Sequence, residues 1–218
     1  MPTPLPDPTA PLADLIPSGN PRLDAQLAFS AVIDRMTAIL RRTRLLDQSR
    51  QENDAEHSWH IAVMALLFRE HATVTPNLPH AVEMLLVHDL VEIYAGDTFA
   101  YDDAGYQDKR QREQQAADRL YALLPPDQGR HLRDLWQEFD AMETDDAKYA
   151  NCLDRIQPFL HNTLTQGYTW RLGGDRPVTR SQVRRRMAIV RPIMPAVHDW
   201  IETCLDTAVR KGWVVADD

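Results

Sequence analysis

Glycine is scarce in this 218-residue chain, with eight in all, and they form neither a G-x-G-x-x-G nor a G-x-x-x-x-G-K-[ST] pattern. A Rossmann dinucleotide site and a P-loop both need such glycines to bring backbone against phosphate, so both are disfavoured. Any phosphate chemistry must then rest on a metal ion or on arginines. Cysteine is scarcer still. Cys152 and Cys204 make no C-x-x-C pair and read as buried thiols of a reducing compartment rather than a disulfide. Long apolar runs are missing: Ile61–Phe68 and Met84–Val87 fall far short of the roughly 20 residues that span a bilayer. No basic residue precedes Arg22, and no apolar segment of signal-peptide type follows Met1. The expectation is a cytoplasmic protein without a membrane partner. Positive charge is also in deficit, 24 Lys+Arg against 32 Asp+Glu, a formal net charge of −8. Polymeric nucleic acid therefore lacks its usual electrostatic drive, whereas a small phosphorylated ligand needs only one positive pocket.

What is present is ordinary globular material, 44% hydrophobic and 26% charged, which excludes wholesale disorder. The length fits one domain. Residues 1–21 hold Pro2, Pro4, Pro6, Pro8, Pro11, Pro17 and Pro21 and read as a flexible arm. The domain is placed at residues 22–210, with a tail at 211–218. Leu23, Leu27, Val32, Met36 and Leu40 recur at helical steps. Further helices are expected at Glu56–Glu70, from Pro79 to a stop near Gly96, and at Gln107–Leu124, Gln128–Met142, Asp145–Gln166 and Arg180–Ala208. Pro125-Pro126 and Gly173-Gly174 mark breaks. Clean period-two alternation is absent, so no strands are expected. The fold class is all-α.

His57, the adjacent pair His88-Asp89, and Asp154 stand out as possible ligands. Imidazole and carboxylate together suit a divalent cation such as Mn, Co, Zn or Fe. His88 and Asp89 follow the most apolar stretch of the chain, where an unpaired carboxylate is costly and a cation would satisfy both. Taken singly, each residue reads equally as a hydrogen-bonded core histidine or a solvated aspartate. Taken together, in the order H…HD…D, they resemble the HD-domain metal-dependent phosphohydrolases, and within these the 5′-deoxynucleotidase group. Arg50-Gln-Glu-Asn-Asp-Ala-Glu56-His57-Ser58 is similar to that group's R-x-E-[SN]-x-[SA]-[ED]-H-[SM] entry. His88-Asp89-Leu-Val-Glu92-Ile-Tyr-Ala-Gly96-Asp97 resembles its HDxxExxxGD signature, and Trp136-Gln-Glu-Phe followed by Leu153-Asp154-Arg155 its closing element. The likeness runs from about residue 25 to 170.

The resemblance implies a helical bundle with the metal site between central helices, and one divalent metal held by His57, His88, Asp89 and Asp154. It makes Glu92 the general acid/base and Asp97 a second polar residue at the substrate edge. A supporting partner of a ligand histidine stays open for Glu92, and a helix-end cap for Asp97. His88 and Glu92, four apart, share a face if the helix is continuous. The group's phosphate-binding arginine falls on Arg42 by count back from His57, with Arg41 and Arg44 as alternatives; guanidinium suits phosphate. Thr43 stands where the group has tryptophan against the sugar, so selectivity for deoxyribose does not carry over. The activity implied is a phosphomonoesterase on (deoxy)nucleoside 5′-monophosphates. Hydrolysis of a phosphodiester or pyrophosphate nucleotide, or nucleotide binding without catalysis, are the alternatives. A homodimer is implied by analogy. His60 reads as surface or ligand surroundings, and His161 as core or surface, with pocket lining as the alternative. Arg180, Arg184, Arg185, Arg186 and Arg191 read as a solvated helix face balanced by acids, with a phosphate-rich ligand or acidic partner as the alternative.

Overall fold

The central element of the bundle is the helix at Leu78–Val87, whose Ala81, Met84, Leu85 and Val87 are all buried. A computed structural model describes residues 7–102, 105, 107–174 and 176–217. In chain order the described helices are α1 (Pro21–Ile33), α2 (Asp54–Phe68), α3 (Leu78–Val87), α4 (Glu92–Ala95), α5 (Lys109–Tyr121), α6 (Pro126–Ala141), α7 (Asp145–Leu164), α8 (Tyr168–Leu172), α9 (Arg180–Met187), α10 (Val190–Ile193) and α11 (Pro195–Arg210). The all-α class holds, with the helices packed around α3, which meets α2, α6 and α7. Proline and glycine punctuate where their chemistry demands. Pro126 and Pro195 open helices at positions whose N–H has no partner to lose, and Gly96 ends α4 with φ +74°.

Three expectations are corrected. Leu40–Arg44 (β1) and Gln51–Asn53 (β2) form a two-stranded antiparallel hairpin instead of the end of a helix and a loop. Its alternation is of buried and exposed polar groups, which hydrophobic periodicity does not register. The expected helix from Pro79 to Gly96 ends at Val87, and His88–Val91 turn before α4 begins. There the His88 imidazole bonds back to Leu85 O (2.9 Å). The expected helix Arg180–Ala208 is three pieces, because Pro192 and Pro195 deny it backbone donors. Of the arm, Pro2, Pro4 and Pro6 lie outside the described residues. Ala10–Asp14 form a 3-10 turn, whose Leu12 packs on the core. Of the tail, Asp218 lies outside them, and Val214 is buried beside α9. Both cysteines are free thiols, and Cys152 is buried.

The apolar interior is two clusters that share α3. Ala81 and Leu85 face one, built with Ile61 and Ala65 of α2, Leu153 and Ile156 of α7 and the C-terminal helices. Met84 and Val87 face the other, with Phe29 and Val32 of α1, Val91, and Leu120 of α5. Tyr149 OH donates to Ala65 O (2.7 Å) and locks α7 to α2. No described helix is long and apolar enough to cross a membrane.

Candidate metal centre

His57 owes its position to the start of α2. Asn53 caps the helix, accepting from Glu56 N (2.9 Å), while the Glu56 carboxylate accepts from Asn53 N (3.1 Å). Arg50 pairs with Glu56 and steadies that turn. His57 follows directly and is fully buried. Thr144 caps α7 in the same way, which sets Asp154 at mid-helix. Four residues on, Pro158 has no N–H to give the Asp154 carbonyl. His88 and Asp89 occupy the turn after α3, at the seam between the two apolar clusters.

These residues converge. His57 Nε2 lies 3.1 Å from Asp154 Oδ1, His88 Nε2 lies 3.8 Å from the same oxygen, and Asp89 Oδ2 is 3.0 Å from His88 Nε2. One donor atom each from His57, His88 and Asp154 falls within a 4.8 Å set. The hydrogen bonding shows what the cluster accommodates. His57 Nδ1–H donates to Gln157 Oε1 (3.1 Å), and the Gln157 amide is oriented by donating Nε2–H to Glu52 Oε1 (2.6 Å). Burial, reinforced by Arg41, lowers His57 to about 4, so the ring is neutral and Nε2 presents a lone pair to a carboxylate oxygen. Two acceptors at that distance need a cation between them. His88 Nδ1–H is likewise used by Leu85 O, and its buried Nε2 makes no hydrogen bond. Burial works to lower His88, but the Asp89 and Asp154 carboxylates overrule it and raise the group to about 10. The field of the site selects positive charge. Two imidazole nitrogens and two carboxylates fit a divalent ion of the Mn, Co, Zn or Fe kind.

A second ring of carboxyl groups adjoins this one. Oxygens of Asp54, Asp89 and Glu92 lie within 4.8 Å of one another. Burial, and then the neighbouring carboxylates led by Asp89, raise Glu92 well above its ordinary value and Asp54 to about 7. Asp97 on the cavity wall is also raised, by burial against the pull of Arg41. Burial opposes ionisation of Asp89, but His88 and Arg41 hold it below the usual carboxylate range. The guanidinium among these acids is Arg41, 2.8 Å from Asp89 Oδ2, 3.5 Å from Asp54 Oδ1 and 3.8 Å from Glu52 Oε2. Arg42, next along β1, is exposed and lines the cavity wall, and Thr43 is buried beside it. Arg44 stacks over the Tyr168 ring, 4.8 Å from its centroid.

An HD-domain family model matches residues 33–198, most of the chain, and that span contains all four ligand candidates. This chain belongs to the HD-domain family. A crystal structure from Magnetospirillum magnetotacticum, titled a predicted metal-dependent phosphohydrolase, is 47% identical with a TM-score of 0.84, covering 92% of this chain and 99% of that one. The curated relatives named 5′-deoxynucleotidase HDDC2 are 31% identical over 111 residues in Homo sapiens and 30% over 109 in Mus musculus. Those alignments cover 51% and 50% of this chain, and the chain spans about half the length (53%) of either relative.

Beyond the quoted motifs, the HD domain enlists residues to which the sequence gave no role. Gln157, one turn after Asp154, is a hub: its amide nitrogen lies 2.6 Å from Glu52 Oε1, 3.1 Å from His161 Nε2 and 3.2 Å from His60 Nδ1. His161 also donates Nδ1–H to Arg44 O (2.9 Å). His60 and His161 thus support Gln157, and neither joins His57, His88 and Asp154. Glu52 and Asp54 sit inside the quoted entry motif and were legible as conspicuous acids there. Of the basic stripe, Arg180 pairs with Asp206 and Arg184 with Glu202 (2.8 Å), as a balanced solvated face requires. Arg186 departs from it, lying 3.6 Å from Asp154 Oδ2.

Proposed function

We propose that this chain is a divalent-metal-dependent phosphomonoesterase that releases phosphate from nucleoside 5′-monophosphates. The observation that carries the reading is the meeting of His57, His88, Asp89 and Asp154 beside a buried carboxyl, Glu92, that holds its proton. His57, His88, Asp89 and Asp154 are the proposed ligands, Glu92 and Asp97 the catalytic residues and Arg42 the phosphate contact. When bound, a divalent ion there would neutralise phosphate oxygens and make water more acidic. The chain's own residues supply the rest. Glu92 is kept protonated by its acidic neighbours and so can protonate the departing 5′-oxygen, then take a proton from the next water. Asp97 faces the same cavity and orients polar groups at the substrate edge. Arg42 offers a planar fork to the phosphate oxygens from the β1 side.

The cavity continues into a side cavity of about 390 Å³ lined by Arg42, Phe99, Tyr101, Gly173, Gly174 and Arg176. That volume lies in the range of small-molecule sites. A Cβ at Gly174 would stand 3.1 Å from the Phe99 ring, so the glycine pair lets that aromatic wall close up. An aromatic wall suits a nucleobase, and the names of the curated relatives agree with a nucleotide substrate. A small-molecule phosphate ester is thus the proposed partner, with no polymeric nucleic acid. A second copy of this chain is proposed as well, supported by the exposed Trp59, Val63, Leu66 and Leu67 on α2; light scattering tests it.

The deciding experiment is phosphate release from ribo- and deoxyribonucleoside 5′-monophosphates with Mn, Co, Zn or Fe supplied. Free phosphate from the monoesters supports the reading. Nucleoside monophosphate or pyrophosphate released from larger nucleotides, or nucleotide binding without turnover at full metal occupancy, overturns it. The ratio of ribo to deoxyribo rates reports directly on Thr43.

A further inference from the structure

Helix α9 carries Arg180, Arg184, Arg185 and Arg186, and they do not share one role. Arg180 and Arg184 reach Asp206 and Glu202 on α11, and Arg185 is exposed. Arg186 stands three residues after Val183 and just before Met187, both fully buried or nearly so, and therefore lies at the edge of the face that α9 packs on α7. Its side chain is 20% exposed, and it lines the same cavity as Asp89, Glu92, Asp97 and Asp154.

The contact it makes there is loose. Nη2 lies 3.6 Å from Asp154 Oδ2, beyond hydrogen-bond length. A guanidinium has five N–H donors, and the described residues give this one no closer polar partner. Arg41 is the opposite case, since Asp89, Asp54 and Glu52 already surround it. A largely desolvated cation with unused planar donors, held at the rim of a metal-ligand cluster, matches the needs of a tetrahedral oxyanion.

We infer that Arg186 contacts phosphate, binding its oxygens from the α9 wall while Arg42 approaches from β1. This rests on the phosphatase reading for the identity of the substrate, but inorganic phosphate, the product itself, probes it without turnover. The experiment titrates phosphate into the metal-loaded full chain and measures bound metal in parallel, for Arg186→Ala, Arg186→Lys and Arg185→Ala. Arg186→Ala is expected to weaken phosphate binding by about 10- to 100-fold, the loss of a charge-assisted hydrogen-bonding group, with metal content unchanged. Arg186→Lys keeps the charge without the fork and falls between the two, and Arg185→Ala matches the unaltered chain. Unchanged phosphate affinity in Arg186→Ala overturns the assignment. So does a loss of metal in step with phosphate, which would make Arg186 only a positioning residue for Asp154. A chain that binds phosphate through Arg186 yet releases none from any monoester overturns the proposed function and leaves this inference standing.

Discussion

Replacing Gln157 by leucine removes the one side chain that orients a proposed ligand from outside the cluster. Two bonds go with it, His57 Nδ1–H to Oε1 at 3.1 Å and Nε2–H to Glu52 at 2.6 Å. Both partners are buried, His57 at 0% and Glu52 at 1% exposure. A buried polar group stripped of its partner costs about 1–3 kcal/mol, so roughly 2–6 kcal/mol of stability is at stake. The second effect is on metal affinity. With no acceptor at Nδ1 the His57 ring loses the bond that keeps its proton away from Nε2, and such outer partners are worth about 10–100-fold in metal binding or activity. Competition of Mn or Zn against a chelator, with melting curves at each metal concentration, separates the two losses. Metal affinity within a factor of two of the parent, in a variant that melts earlier, would refute the orienting role and leave Gln157 as packing alone.

Glu92→Gln should keep its metal and lose phosphate release by about 10²–10⁴-fold, measured as kcat beside metal content; loss of metal instead would make Glu92 a ligand. His88→Ala or Asp154→Ala should lose metal and activity together, read by the same two assays. Burial holds Glu52 at about 7 against an ordinary 4.5, so the native state binds more protons than the unfolded one between those values, and stability falls as pH rises through that window. Glu52→Gln removes this contribution, nominally roughly 3 kcal/mol, and should show a smaller loss between pH 5 and pH 8 in denaturant titrations; an unchanged slope would sink the assignment. Arg42→Ala should raise KM with stability little altered, since its side chain is exposed. Arg41→Ala should destabilise the fold, because it strands Asp89 and Asp54.

The helices were legible where chemistry punctuates them, as with Pro126 and Gly96, and α5, α6 and α7 lie within two to three residues of their expected ends. The stop after Val87 was not, because Met84-Leu85-Leu86-Val87 is apolar all round and carries no phase to show where the helix ends. The hairpin escaped because Leu40–Arg44 alternates in exposure and not in hydrophobicity. That strand geometry is also what separates Arg41, turned toward the carboxylates, from Arg42 on the cavity wall; residue counting places both within one step. His57, His88, Asp89 and Asp154 were legible as a pattern of residue types. Gln157 and Arg186 were not, since their importance arises only when α7 and α9 bring them to the same place.

The seam beneath His88 has a mechanical consequence. His57 and Asp154 stand on helices rooted in one half of the interior, whereas His88 and Asp89 hang from the turn that leads into the other. An ion gripping all four rivets the halves together, adding about 2.7 kcal/mol when supplied at a hundred times its dissociation constant. Starvation for that ion would thus loosen the whole body of the molecule, and resistance to heat or protease would track metal supply as closely as turnover does.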